Sequence, residues 1–309
     1  MSQNKVIIVA GPTASGKSAL AIDIAVAFNG IVINCDSMQV YKHIPIISAC
    51  PDEHDKAIVE HKLFEIYEPH IKGNVVDWLT LAVDEIKSAW QQNKTAVVVG
   101  GTGLYIDNLI NGTTPIPETP NKIREKISQM LKEKGSNFLH QELTLKDSES
   151  AKRISPNDTT RLLRALEVFE HTQIPLSAWH AKPMLKKLPQ ADFFVIKICP
   201  NVKELDARCY LRLDKMIESG ALDEIKFLHS LNLDEKLPAM KALGVPELMN
   251  YINGKCSFDE ALQNAKLHTR QYAKRQRTWF KNKLVADFEL TNCYNGDFNP
   301  IKEKLNKFL

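Results

Sequence analysis

Short, wholly apolar runs punctuate the first third of the chain. Val6-Ile7-Ile8-Val9, Ile31-Val32-Ile33 and Ala96-Val97-Val98-Val99 show no polar alternation. Between them, Ser18 to Phe28 repeats apolar residues at Leu20, Ile24 and Phe28, one face of a helix, and Leu79 to Trp90 is a second helical stretch. β-Branched runs with no solvent-facing side, separated by helices, predict a parallel sheet covered on both faces. The texture changes at Thr113–Pro120, where three prolines in eight residues mark a boundary. From there to about Pro189 the pattern predicts helices only. One runs from about Asn121 to Lys134 and stops at Gly135. Another opens at Ser155-Pro156-Asn157-Asp158, with a serine cap, proline at the first helical position and an acid at the third. Phe193–Ile198 returns to the sheet, and helices are expected to fill the remainder, with no internal repeat and no low-complexity segment.

Gly11-Pro12-Thr13-Ala14-Ser15-Gly16-Lys17-Ser18 joins the first strand to the first helix and fits GxxxxGK followed by Ser or Thr. Such a loop aims backbone N–H groups and a helix N-terminus at an anion. Lys17 adds a point charge, and the Ser18 hydroxyl can hold Mg²⁺. The bland reading is a glycine turn before a helix. The carboxylate that closes a strand in nucleotide hydrolases is missing, because Val97-Val98-Val99 runs into Gly100-Gly101-Thr102-Gly103, a small turn with one hydroxyl. The acid instead follows the second strand, in Asn34-Cys35-Asp36-Ser37-Met38-Gln39. Ligands of open α/β sheets sit at such strand ends. Asp36 reads either as a general base or Mg²⁺ organiser, or as a turn residue. The expected fold class is α/β: a P-loop NTPase-like parallel-sheet core from residues 1–114 and 190–309, and an all-helical insertion domain at 115–189.

Composition narrows the class and charge localises the interest. Over 309 residues, 44% hydrophobic and 25% charged is ordinary globular usage, which excludes collagen-like and disordered chains. No apolar run approaches the ~18–20 residues of a membrane helix. The N-terminal apolar stretch, Val6 to Ala10, is too short for a secretory signal, so a cytoplasmic chain is expected. The six cysteines form no CxxC pair and the nine histidines show no ligand spacing, so no zinc site is suggested. Trp78 and Trp90 read as core. Lys and Arg total 40 against 37 Asp and Glu, but residues 121–190 hold 13 basic against 8 acidic, net +5. Residues 261–286 contain no acid at all, and Lys266, Arg270, Lys274, Arg277 and Lys281 recur at spacings of 4, 4, 3 and 4, one helix face. Arg275 and Lys283 add charge, and Tyr272 and Trp279 interleave. Arg161 and Arg164 lie one turn apart on a helix whose Leu162, Leu163 and Leu166 form the buried side. Arg208 and Arg212 make an i, i+4 pair. A solvated face explains each of these; so does a polyphosphate or diphosphate partner.

Taken together, five segments resemble the bacterial tRNA dimethylallyltransferases, also called tRNA isopentenyltransferases. They are GPTASGKS at 11–18, DSMQVYK at 36–42, VVGGTGLY at 98–105, PNDTTRLLRALEV at 156–168 and TRQYAKRQRTWF at 269–280. The first is generic; the other four are specific and occur in the family's order. The resemblance implies transfer of a dimethylallyl group from dimethylallyl diphosphate to N6 of the adenine just 3′ of the anticodon, in tRNAs reading codons that begin with U. It implies that the phosphate loop (Gly11, Thr13, Ala14, Ser15, Gly16, Lys17, Ser18) grips the prenyl diphosphate, with Mg²⁺ at Ser18 and a clamp of Arg208 and Arg212. Lys17, Thr102 and Arg212 would stabilise the leaving group, and Asp36 would be the general base. tRNA contacts are implied for Asp36, Ser37, Met38 and Gln39, for Thr102 and Arg124, and for Thr160, Arg161, Leu162, Leu163 and Arg164. They are implied also for Lys241, Ala242, Leu243, Gly244, Val245 and Pro246. The basic helix with Arg270, Lys274 and Arg277 would help to hold the anticodon stem-loop. A monomer is expected.

Two segments depart from the family pattern. Ile47-Ser48-Ala49-Cys50-Pro51 replaces a Gly-Thr-Ala-Lys-Pro run, losing a glycine and a cation. Gly244-Val245-Pro246 stands where Gly-Tyr and a cation are usual. Both bear on tRNA affinity or selection more than on chemistry. The competing readings are a phosphate-loop kinase of a small metabolite, a prenyltransferase of free adenine nucleotides, and a non-catalytic RNA-binding protein.

Overall fold

The computed structural model describes residues 4–309. Six strands form one sheet: β1 (Lys5–Ala10), β2 (Gly30–Asn34), β3 (His61–Lys62), β4 (Thr95–Gly100), β5 (Asp192–Ile198) and β6 (Phe288–Leu290). Their order is β3-β2-β4-β1-β5-β6, and every neighbouring pair is parallel. The central strands carry the apolar runs and are buried along almost their whole length. Strands β3 and β6 were not foreseen. At two and three residues they are too short to show a period, and they cap the sheet's two edges.

The helices are α1 (Lys17–Ala27), α2 (Pro45–Ser48), α3 (Glu53–Ile58), α4 (Val75–Gln91), α5 (Gly103–Asn111), α6 (Asn121–Lys146), α7 (Ser148–Arg153), α8 (Thr159–Thr172), α9 (Leu176–His180), α10 (Val202–Glu218), α11 (Ala221–Ser230), α12 (Val245–Ile252), α13 (Phe258–Lys283) and α14 (Asn299–Phe308). They belong to two compact units. One holds the described residues up to Ile110 together with Lys187–Leu309, and the other is Asn111–Lys186.

In the first unit both sheet faces are covered. Ile7, Val9, Val97 and Val99 pack with Leu20 and Ile24 of α1 and Ile301 and Leu305 of α14. Val6, Ile8 and Val98 pack with Trp78 and Ile86 of α4, Ile106 of α5 and residues of α10 to α13. Each such side chain contributes about 1.5–3 kcal/mol by burial. Trp78 is fully buried, stacks on Tyr105 and donates its indole N–H to Asn34 O, so it is core as expected. The strands end in register, Ala10 beside Gly100 and Lys197, so the loops that follow them gather at one edge. At Gly100 a Cβ would lie 1.9 Å from Cys35 O, so only glycine lets β4 end this close to the loop after β2.

The 111–186 unit is helical, with a core of Ile127, Leu139, Leu143, Leu162, Leu166 and Val168. Thr113 and Leu185 pair antiparallel where its two ends meet. Helix α6 breaks at Gly135 (φ 78°, ψ 172°) as its glycine suggests, then resumes to Lys146. The cap of α8 differs from expectation. Asp158, not Ser155, is the N-cap, accepting from Arg161 N, while Ser155 Oγ accepts from Asn157 N in the turn before it. The proline that suggested a first helical turn belongs to that turn instead.

Candidate active site

The phosphate loop wraps from β1 into α1. Its turn depends on Gly16, at φ 87°, where a Cβ would also lie 2.8 Å from Tyr294 O. Ser15 is buried, and its hydroxyl has no hydrogen-bond partner. Lys17 is 8% exposed and directs Nζ toward Pro12 O at 3.4 Å. Burial pushes its pKa down to about 8; the charge of Asp36 opposes that shift and Arg212 adds to it. Arg212, on α10, donates Nη1 to Thr13 Oγ1 at 3.0 Å, and burial lowers its pKa too. Two desolvated cations thus share one carboxylate, a set poised for an anion.

Two cavities meet at this loop, sharing Ala14 and Arg212. The wider, about 670 Å³, is lined by Gly16, Lys17, Ser18, Asp55, Arg208 and Lys215 among others, and by Cys50. The narrower, about 290 Å³, runs past Asp36 between apolar walls of Met38, Ile47, Leu213, Met216 and Leu243. Asp36 is fixed as a turn residue and also faces this cavity: its Oδ1 accepts Met38 N at 3.0 Å, and its own N–H donates to Asn34 Oδ1 at 2.8 Å. Its place in the turn therefore does not withdraw Asp36 from the cavity.

Other expected residues are placed differently. Thr102 lines neither cavity; its hydroxyl accepts from Ser37 N at 3.0 Å and donates to Ser37 Oγ at 3.3 Å. It braces the turn that carries Asp36 rather than reaching the loop. Gln39 is 7% exposed, and its amide is committed to the carbonyls of Ser48 and Ala49. Leu162 and Val245 are buried in cores, while Ala242, 1% exposed, lines the narrow cavity. Gly244 takes φ 89° and faces Ile47, which fills the space beside it. Lys241, Leu243 and Pro246 remain accessible, the first two on the narrow cavity. In the helical unit Arg161 and Thr160 are exposed, Leu163 is half-buried, and Arg161 pairs with Asp158 at 3.1 Å. Arg164 donates to Thr119 Oγ1 at 3.2 Å, and Arg124 pairs loosely with Glu118 at 3.7 Å. Burial lowers the Arg164 pKa, with Arg124 adding to the effect, so these two cations are near one another.

Three of the five cations of the stripe on α13 are engaged by neighbours, while Lys274 and Lys281 stand exposed. Lys266 pairs with Asp214 at 2.6 Å and Arg270 with Asp206 at 2.8 Å, both on α10, and Arg277 donates to Pro200 O at 2.7 Å. None of Arg270, Lys274 and Arg277 lines either cavity. The residues of α13 that do are Thr269, Tyr272, Arg275 and Gln276. Gln276 went unrecognised in the sequence. It is 7% exposed, accepts from Thr13 N at 2.8 Å and donates to Gly101 O at 2.7 Å, tying the phosphate loop to the end of β4. One signal was available: Ala261, Ala265 and Ala273 make the other side of the helix small and close-packing, and a lone amide on it calls for partners. Cys209 and Cys50 line the cavities as thiols, burial pushing them up to about 11 and about 12, which makes them unreactive at neutral pH.

Metal chemistry is limited by the donor set. Among the described residues no group of three or more His, Cys, Asp or Glu is arranged to hold a metal. The wide cavity offers the exposed Ser18 hydroxyl and the Asp55 carboxylate. That fits an ion such as Mg²⁺, which keeps several waters and leans on substrate phosphates. Nor, among the described residues, is any helix long and apolar enough to cross a membrane.

Comparison with known proteins gives a consistent result. Residues 39–283 match the family described as IPP transferase. A tRNA dimethylallyltransferase of Granulibacter bethesdensis is 40% identical over 92% of this chain and 88% of its own length. One from Rickettsia massiliae is 40% identical over 98% and 83%. Among solved structures, the tRNA isopentenylpyrophosphate transferase of Bacillus halodurans superposes with a TM-score of 0.71 at 29% identity, covering 99% of this chain and 98% of that one. A eukaryotic dimethylallyltransferase acting on tRNA superposes with a TM-score of 0.84 at 29% identity, covering 98% and 78%.

Proposed function

The chain belongs to the IPP transferase family, and on that premise we propose that it transfers a dimethylallyl group from dimethylallyl diphosphate to N6 of adenine 37 of tRNA. That adenine is 3′-adjacent to the anticodon, in tRNAs reading codons that begin with U, and diphosphate is released. The observation that carries this reading is the narrow cavity. It joins an anion-binding loop and Arg212 to an apolar slot with one carboxylate. A metabolite kinase needs no such apolar wall beside its phosphate loop; an allylic diphosphate needs both halves.

The chemistry follows from those parts. The bond between C1 of the prenyl group and the diphosphate oxygen breaks, and its electron pair leaves on the diphosphate. Negative charge grows there, where Lys17, Arg212, Arg208 and the loop amides stabilise it. The adenine amino group, whose lone pair is drawn into the ring, forms the new N–C bond and loses a proton to Asp36. Ser18 would hold Mg²⁺ against the diphosphate, where the ion supplies charge neutralisation of the leaving group. Thr102 acts one step back, holding the Asp36–Ser37 turn. The adenine must leave the stacked loop to reach a cavity this narrow. In the helical unit, Arg124, Thr160, Arg161 and Arg164 are assigned to the stem-loop; in the first unit, Lys241, Leu243, Lys274 and Arg275. Because tRNA is the acceptor, the reaction is assigned to the cytoplasm.

The test is a transfer assay with labelled dimethylallyl diphosphate, Mg²⁺ and an anticodon stem-loop carrying adenine 37, with AMP and an adenine-to-guanine stem-loop as controls. Label on the adenine stem-loop alone is expected. Label on AMP would reassign the acceptor, and label on neither would overturn the reading.

A further inference from the structure

The segment after β6 turns back over the phosphate loop. Tyr294 donates its N–H to Ser15 O at 2.9 Å, and its carbonyl accepts from Arg208 Nη1 at 3.3 Å. Its hydroxyl donates to Asp23 Oδ2, on the helix the loop opens into. The residue before it is held as well: Cys293 N donates to Glu204 Oε1 at 3.1 Å, on the helix that carries Arg208 and Arg212. Tyr294 is 6% exposed, its ring packed in the core with α1 and α14. Its carbonyl also presses on Gly16, where no Cβ would fit. A single residue therefore touches the loop's backbone, the first helix and one arginine of the diphosphate clamp. Cys293 and Tyr294 lie beyond the residues 39–283 that match the family.

We propose that Tyr294 is a positioning residue for the diphosphate cradle, strapping the phosphate loop and Arg208 into the geometry that receives the anion. The proposal rests on the reading of the loop given above. Its physical basis is preorganisation. A loop whose amides must converge on an anion binds it more tightly when it is already fixed in that shape. The Ser15 carbonyl and the Gly16 face are fixed from outside, through Tyr294, rather than by the loop itself. Burial and the Asp23 contact both raise the Tyr294 pKa, so the phenol stays protonated and can keep donating to Asp23 through the working pH range.

The test is binding of inorganic diphosphate, by calorimetry, to the full chain and to Tyr294→Phe, Asp23→Ala and Leu305→Ala. The first two break the hydroxyl tie from its two ends. The third loosens the same C-terminal region from a buried position on α14, in an apolar cluster that includes no residue of the loop. Tyr294→Phe and Asp23→Ala are each expected to weaken diphosphate binding about 3–10-fold, as loss of one hydrogen bond does, and to raise KM for the prenyl diphosphate with it. KM for the stem-loop should stay unchanged, and Leu305→Ala should leave diphosphate affinity within twofold while lowering the melting temperature. Unchanged affinity in both tie variants would overturn the proposal, as would an equal loss in Leu305→Ala. No diphosphate binding by the unaltered protein would instead overturn the reading of the loop on which the proposal stands.

Discussion

Lys17 and Lys274 carry the same side chain in opposite physical situations. Lys17 is buried between the phosphate loop and Arg212, and desolvation pulls its pKa down to about 8. Lys274 stands exposed on α13, where Lys266 and Arg270 are tied to α10 and Arg277 to Pro200 O. The first charge is held in place by backbone and acts at short range in a poor dielectric. The second acts through solvent, where salt screens it within about 10 Å at 0.1 M. The difference teaches which cations serve chemistry and which serve capture. The buried set should control kcat and diphosphate affinity, and the exposed set should control RNA affinity and its salt dependence.

The sharpest way to break that division is at Asp36, the carboxylate the buried cations share. Asp36→Asn keeps the size of the side chain and removes the proton acceptor. It is expected to lower kcat by about 10²–10⁴-fold while stem-loop binding, measured by filter retention, stays within about threefold. A variant that keeps its turnover would show that the buried charges bind without taking part in the reaction.

Lys17→Met comes next, and it should separate activity from stability. Loss of one charge aimed at the leaving group is worth about 10²–10³-fold in kcat/KM. Stability moves the other way. Below about pH 8 Lys17 is protonated in both folded and unfolded chains, and the folded state carries the full cost of a buried charge. Between about pH 8 and the ordinary value of 10.5 the folded chain has lost the proton and the unfolded chain has kept it. Stability contributed by this group therefore rises with pH across that window. At pH 7 the methionine variant is expected to be more stable by on the order of 1–3 kcal/mol, read as a higher melting temperature. A less stable variant would mean that Asp36 compensates the charge in full.

The same group predicts a pH limb. In the free enzyme an anion meets a charged Lys17 only below about pH 8. kcat/KM for dimethylallyl diphosphate should fall above that point, by up to about tenfold per pH unit. Lys17→Arg, which stays charged at every accessible pH, should have lower activity and no such limb. A limb that survives the arginine would belong to another group.

How much of this was legible follows the same division. The phosphate loop and the central strands are written in consecutive residues, a glycine pattern and apolar runs, so they can be read before folding. Asp36 could be placed because it follows a strand end. The partners of the basic helix could not. Spacing puts Lys266, Arg270 and Arg277 on one face, but nothing local says that Asp214, Asp206 and Pro200 O will meet that face. For the same reason the sequence does not single out Gln276, although it joins Thr13 to Gly101, and does not show that the Thr102 hydroxyl meets Ser37. Strands β3 and β6 escaped because pairing with a neighbour, not their own pattern, makes them strands.

The smallest expected effect tests the exposed set against itself. Lys274→Ala and Arg270→Ala each remove one positive charge from the same helix. Lys274 is free to meet a phosphate, so its loss should weaken stem-loop binding a few-fold at low salt. The slope of log affinity against log salt should fall by about 0.7–0.9, the release of one counterion. Arg270 is occupied by Asp206 at 2.8 Å, and its role is to hold α13 against the helix that bears Arg208 and Arg212. Its loss should leave the salt slope nearly unchanged and lower stability by less than about 1 kcal/mol, the value of a partly exposed ion pair. Equal slopes for the two variants would mean that the RNA displaces Asp206, and that the stripe on α13 is a capture surface after all.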